Sequence, residues 1–189
     1  YRIPGLGSAA EPASQIPRLP RPPTEMDMPT PQELEARLWS ALKSDMTIML
    51  GLTGVDDAHA LPMTAQLLHD DGGPIYIFTS SENRLVENLS HSDRAVATFV
   101  SKGHDLFATM HGRLSLESDP AIVDALWNRF VAAWYEGGKT DPKLRLLKLD
   151  PERAEIWLDA SSLLAGIKLM FGADPKKEYR DNVAKVDLG

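Results

Sequence analysis

Leu126 to Lys139 reads LWNRFVAAWYEGGK, and its interpretation sets the architecture expected of the whole chain. Two tryptophans, a tyrosine and a phenylalanine recur at helical spacing and stop at Gly137-Gly138. That pattern predicts an amphipathic helix ended by glycine. Upstream, Ser101 to Gly112 reads SKGHDLFATMHG; downstream, Ala154 to Trp157 reads AEIW. Both belong to segments that read as strands. An aromatic helix set between strands predicts an α+β fold rather than alternating βα units.

Working outward, Thr30 and Glu33 form a capping box with Pro31 at the first helical position, and Leu34, Leu38, Ala41 and Leu42 line one face to about Lys43. Strands are expected over 47–52, 59–68, 74–79, 94–100 and 106–116, separated by polar turns. A short helix is expected from Glu82 to Leu89. Leu144 to Leu149 and Arg153 to Leu158 read as a hairpin turning at Asp150-Pro151, and a final helix starts at Ser161 or Ser162 and ends at Gly172. Val183 to Leu188 adds an edge strand. Six or so strands with inserted helices form an antiparallel sheet or barrel.

The chain has 189 residues, no cysteine and a net charge of -7. The absence of cysteine excludes disulfides, thiolate metal sites and a cysteine nucleophile. The acidic balance excludes a broad nucleic-acid surface but not one bound phosphate. No apolar run reaches membrane-span length. These features suit a cytoplasmic protein with no nucleic-acid or membrane partner. Eight of the fourteen prolines lie at or before Pro31. Residues 1–30 are therefore expected to be a disordered arm or a vector-derived leader, with a natural start near Met26 or Met28 and one domain over 31–189.

Several motifs carry little chemistry. Gly5-Leu6-Gly7-Ser8-Ala9-Ala10 mimics a dinucleotide fingerprint, but no strand feeds it and Pro12 follows. Gly138-Lys139-Thr140 mimics a P-loop end, yet Ala133 stands where the loop needs glycine. The five histidines have no metal-ligand spacing, no metal site is expected, and no nucleophile elbow is present. Thr79-Ser80-Ser81 is more informative, because it ends a strand and opens a helix with Asn83 and Arg84 just behind. Hydroxyls, N–H groups and a cation there suit a phosphate, although helix capping by Ser80 or Ser81 explains the same residues. Trp157 lies mid-strand, where it serves as core or as cover for a flat aromatic ligand.

Together, Pro62-Met63-Thr64-Ala65-Gln66, Phe78-Thr79-Ser80, Lys102 to Ala108, Trp127 to Lys139, Ala154 to Trp157 and Asp174-Pro175-Lys176-Lys177 resemble the pyridoxamine 5'-phosphate oxidase-like FMN-binding split barrels. The general stress protein 26-like branch is the nearer likeness, and it covers Pro31 to Leu188. The resemblance implies a mainly β α+β fold, a six-stranded antiparallel split β-barrel with peripheral helices, assembled as a homodimer. It implies FMN, with FAD the alternative, bound in grooves at the dimer interface. Pro62, Met63, Thr64 and Gln66 would serve the ring edge. Phe78, Thr79 and Ser80 would touch the ribityl and phosphate, with Asn83 and Arg84 at phosphate-binding positions. Trp157 would flank the flavin from the partner subunit. Lys102 joins the set on its charge and turn position.

Some positions depart from the family pattern. Leu61 stands where an arginine is common, Leu85 replaces a second basic phosphate ligand, and Gln66 replaces a lysine. Leu163 and Ala165 occupy the positions of the oxidases' Arg-x-His pair, so oxidation of pyridoxine phosphate is not expected. The implied function is a general-stress-type flavoprotein, an oxidoreductase of unidentified substrate. A non-catalytic flavin store, a redox sensor and a cofactor-free dimer are the alternatives. No residue reads as a catalytic acid or base.

Overall fold

The computed structural model describes residues 29–55, 59–158 and 183–188. The proline-rich arm to Met28, the final expected helix, Leu163, Ala165 and the Asp174 to Lys177 motif lie outside the described residues.

Helix α1 spans Pro31–Asp45 and starts as its sequence dictates. Glu33 N–H donates to Thr30 Oγ1 at 3.2 Å, and Thr30 N–H donates to Glu33 Oε2 at 2.7 Å. This reciprocal cap holds the Glu33 carboxyl below its ordinary range, chiefly through the Thr30 backbone bond. At the other end Met46 takes a left-handed conformation, φ 52°, and closes the last turn on Leu42 O. Leu34, Leu38, Trp39 and Leu42 are buried against the barrel. Each such side chain contributes about 1.5–3 kcal/mol of transfer free energy.

The strands are β1 Thr47–Leu52, β2 Leu61–Thr64, β3 Gln66–Leu67, β4 Ile75–Ser80, β5 Arg94–Val100, β6 Leu106–Glu117, β7 Leu144–Leu158 and β8 Val183–Asp187. They pair antiparallel in the order β2-β1-β5-β6-β7-β4-β3, with β8 on β7. β2 and β3 flank Ala65 in one run of chain yet lie at opposite ends of this order, so the sheet closes on itself. Counting β2 with β3 as one strand gives the expected six-stranded barrel. Its core is filled by alternate residues, among them Ile48, Leu50, Ala97, Phe99, Met110 and Ile156. Short helices α2 Arg84–Asn88, α3 Pro120–Leu126 and α4 Arg129–Ala132 lie in the connections.

Three expectations are corrected. The hairpin at Asp150-Pro151 does not exist, because β7 runs unbroken through it. The register passes from His111↔Arg153 to Gly112↔Pro151, so Glu152 is the extra residue of a β-bulge. A bulge tolerates proline within a strand, since no ladder N–H is needed there. The single aromatic helix is instead α3 and α4, separated by Trp127 in extended conformation. Asn128 forces the restart by capping Phe130 N–H at 2.9 Å and Val131 N–H at 3.1 Å. The 59–68 strand begins only at Leu61 and breaks at Ala65.

The bulge is pinned from two sides. Arg94 forks onto Glu152 at 2.8 and 2.9 Å, which lowers the Glu152 pKa through that hydrogen bond. Arg113 bridges Asp93 and Glu152. Gly112 faces the bulge so closely that a Cβ would overlap the Asp150 carbonyl oxygen and lie 2.9 Å from Pro151 Cα. Gly112→Ala is expected to cost about 3 kcal/mol. Thermal unfolding should show it as a Tm lower by roughly 6–12 °C; an unshifted Tm would refute this close approach.

Candidate functional site

Ala65 decides where the barrel opens. Its N–H donates to Met46 O at 2.6 Å, holding this end of the strand against the β1 side. Beyond it, Gln66 pairs with Tyr76 and Leu67 with Ile75. Before it, β2 pairs with β1 alone. Continued past Ala65, the β3–β4 register sets Thr64 across from Phe78, Met63 from Thr79 and Pro62 from Ser80. No ladder forms between these facing pairs. An open seam results, lined by β2 on one side and the end of β4 on the other. One edge of β2 keeps main-chain groups available to a ligand. Seven of the sequence-nominated residues, Pro62, Met63, Thr64, Gln66, Phe78, Thr79 and Ser80, lie on β2, β3 and β4, the strands that flank this break in pairing.

The closed end of the seam is roofed by the aromatic segment. Trp127 meets Phe78 edge to face with ring centroids 5.8 Å apart, and Tyr135 lies 6.2 Å from Trp127. Burial pushes the Tyr135 hydroxyl pKa up. Asn128 Nδ2 donates to Gln66 Oε1 at 3.3 Å, tying the roof to the strand beneath. Both Trp127 and Asn128 sit at the break that divides the expected amphipathic helix into α3 and α4. By contrast, Trp134 is 84% exposed and Phe130 is 70% exposed.

At the corner after β4, most main-chain donors are already committed. Ser81 N–H donates to Lys143 O at 2.8 Å, Asn83 N–H to Ser80 O at 3.0 Å, and Glu82 N–H to Ser80 Oγ at 3.2 Å. Asn83 Oδ1 accepts from Leu85 N–H at 2.9 Å, the cap of a helix of only five residues. What this corner offers an anion is therefore its side chains. The Thr79 and Ser81 hydroxyls, the Asn83 amide nitrogen and the exposed Arg84 guanidinium form a donor set suited to a phosphate ester. Glu82 is paired with Lys143 at 2.8 Å, which raises the lysine pKa. The donor chemistry fits a flavin phosphate, and the open β2 edge fits the polar edge of its ring.

Two nominated residues stand elsewhere. Lys102 sits in the β5–β6 turn, its N–H bonded to Asp45 Oδ2 at 2.8 Å and its ammonium 3.6 Å from Asp45 Oδ1. In the same turn, a hydrogen bond from Ser101 lowers the Asp105 pKa. Trp157 is half-buried on β7, between Phe107 and Val183 in register. That places it past the part of β7 that pairs with β4.

A cleft of about 590 Å³ adjoins the corner through β7, with Leu116, Val123, Leu144 and Leu146 as apolar walls and Lys139 and Arg145 among its polar lining. The P-loop mimic forms part of this cleft as a 3-10 turn, with Lys139 Nζ 2.6 Å from Asp124 Oδ1. No cluster of metal-ligating side chains occurs among the described residues. No helix among them is long and apolar enough to cross a membrane.

Comparison with known families matches residues 33–179 to the pyridoxamine 5'-phosphate oxidase like family. No curated protein matches. Among solved structures, the general stress FMN/FAD binding protein from the phytopathogen Xanthomonas citri is 60% identical, with a TM-score of 0.66 over 71% of this chain and 94% of that one. A general stress family protein from Xanthomonas campestris pv. campestris is also 60% identical, with a TM-score of 0.68 over 74% and 96%. General stress protein 26 from Jannaschia sp. is 26% identical, with a TM-score of 0.64 over 82% and 97%.

The roof contact can be tested. Asn128→Ala removes a helix cap and the link to Gln66, and is expected to cost about 1 kcal/mol. Asn128→Asp keeps the capping oxygen and should recover most of that loss. A urea midpoint unchanged in the alanine variant would show that the cap contributes nothing.

Proposed function

The chain belongs to the pyridoxamine 5'-phosphate oxidase-like family, and from that premise we propose that it is a flavin-binding protein of the general stress type. The observation that carries the reading is the seam. Seven residues nominated from the sequence lie on the strands that flank it, the side chains after β4 are compatible with a phosphate, and Trp127 packs on Phe78. The 60% identical Xanthomonas citri protein, described as FMN/FAD binding, supports the same ligand class.

The residues divide by task. Arg84, Thr79, Ser80, Ser81 and Asn83 hold the phosphate. Pro62, Met63 and Thr64 present main-chain groups to the ring edge, and Gln66, fixed by Asn128, supplies a side-chain amide there. Phe78 lies along the ribityl chain, buttressed by Trp127. FMN is the primary candidate and FAD the alternative. Bound flavin supplies hydride and electron transfer, while the protein supplies orientation and electrostatics. The reaction class is therefore an oxidoreductase of unidentified substrate. No group in the seam is placed as a proton donor or acceptor, so a flavin store or redox sensor is the second reading. Reduction of the bound flavin by NADH or NADPH separates the two.

A homodimer completes the site in this reading. Met49, Val100 and Phe107 are 40%, 46% and 38% exposed on the outer face of the barrel. Phe107 is in register with Trp157, and Met49 with Pro62. Exposed apolar area running from the seam to Trp157 suits a second copy of the chain. Trp157 of one copy would then cover the flavin of the other.

Saturating FMN at about 100 times Kd should stabilise the fold by about 2.7 kcal/mol. Arg84→Ala should weaken FMN by roughly tenfold or more, the worth of one charged hydrogen bond. Equilibrium dialysis showing no uptake at high micromolar FMN would end the proposal. Phe107→Asp should convert a dimer into a monomer in sedimentation velocity; a wild-type monomer would remove Trp157 from the site.

A further inference from the structure

Among the described residues at the corner, Arg84 is the exposed cation at the helix start, while Lys143 is paired with Glu82 at 2.8 Å. A phosphate ester at neutral pH carries close to two negative charges, about -1.5 to -2. The next position cannot help, because Leu85 is 3% exposed and packed in the barrel core. Leu61 is likewise packed against that core.

The neighbouring strand offers a replacement. Arg145 is the register partner of Thr79 in the β4–β7 ladder. Such partners share one face of the sheet, with Cβ atoms about 4.5–5.5 Å apart. Among the described residues the Arg145 guanidinium meets only main-chain carbonyls, with Nη1 donating to Pro142 O at 2.9 Å and Leu144 O at 2.7 Å. Nη2 and Nε keep their donors, in the planar fork that suits phosphate oxygens. The acids sharing its cleft are otherwise engaged. Asp124 pairs with Lys139 at 2.6 Å. Asp141 accepts from Gly137 and Lys143 N–H at 3.1 and 2.9 Å, and Glu117 from Ser118 and Asp119 N–H at 2.8 and 2.9 Å.

Resting on the flavin reading above, we propose that Arg145 is the second cation of the phosphate site. It reaches the ester from β7, across the strand pair from Thr79, and takes over the role that a basic residue after Arg84 would have.

Flavin fluorescence titration of the full chain with riboflavin, FMN and FAD tests this in wild type, Arg145→Ala and Arg145→Lys. Riboflavin has no phosphate and reports whether the ring site is intact. Arg145→Ala is expected to weaken FMN and FAD at least tenfold while leaving riboflavin unchanged. Arg145→Lys should fall between, since it keeps charge without the fork. An equal loss for all three flavins assigns Arg145 to holding the 142–144 turn and overturns the proposal. So does unchanged FMN affinity in Arg145→Ala. If wild type binds none of the three, the flavin reading itself is wrong.

Discussion

The amide hydrogen of Ala65 is given to Met46 O at 2.6 Å. With Ala65 held on that side, only Gln66 and Leu67 reach across to β4. The barrel is shut by this two-residue ladder and open everywhere before it along β2. If β2 paired with β4 along its whole length, this gap in the barrel would be closed. The core strands need no such freedom. Their alternate residues fill the interior, and β6 and β7 form the longest ladder of the sheet, interrupted by one bulge. The site is thus a local failure of pairing in an otherwise complete sheet.

Much of this was legible from the residues. The capping box at Thr30 and Glu33, the strand alternation and the turn after β4 rest on local chemistry, and local chemistry is what a sequence displays. The bulge was misread because Asp-Pro favours a turn when considered alone. Only the facing Gly112, far off in sequence, allows the strand to continue. The aromatic segment was misread for a different reason. Its apolar spacing satisfies a helix, but Asn128 offers a better cap than a mid-helix residue and restarts the chain. Trp134 then emerges exposed.

The corner after β4 shows the same limit at the level of chemistry. Its hydroxyls, amide and cation were visible in Thr79 to Arg84. That its N–H groups are already engaged was not, since Ser81 is satisfied by Lys143 from a distant segment. The location of Arg145 is equally invisible before strand order is known, because nothing near it in sequence marks it as a neighbour of Thr79.

An open strand margin carries a hazard of its own. Unmatched donors and acceptors along β2 form a template on which any extended peptide could lay itself down, building fibres instead of holding a ligand. Proline within a strand is tolerated where its missing hydrogen has no partner to disappoint, and Pro62 stands midway along this margin. The ring interrupts the template while sparing the polar groups on either side. A residue nominated for holding a small molecule thereby also guards the molecule's solubility.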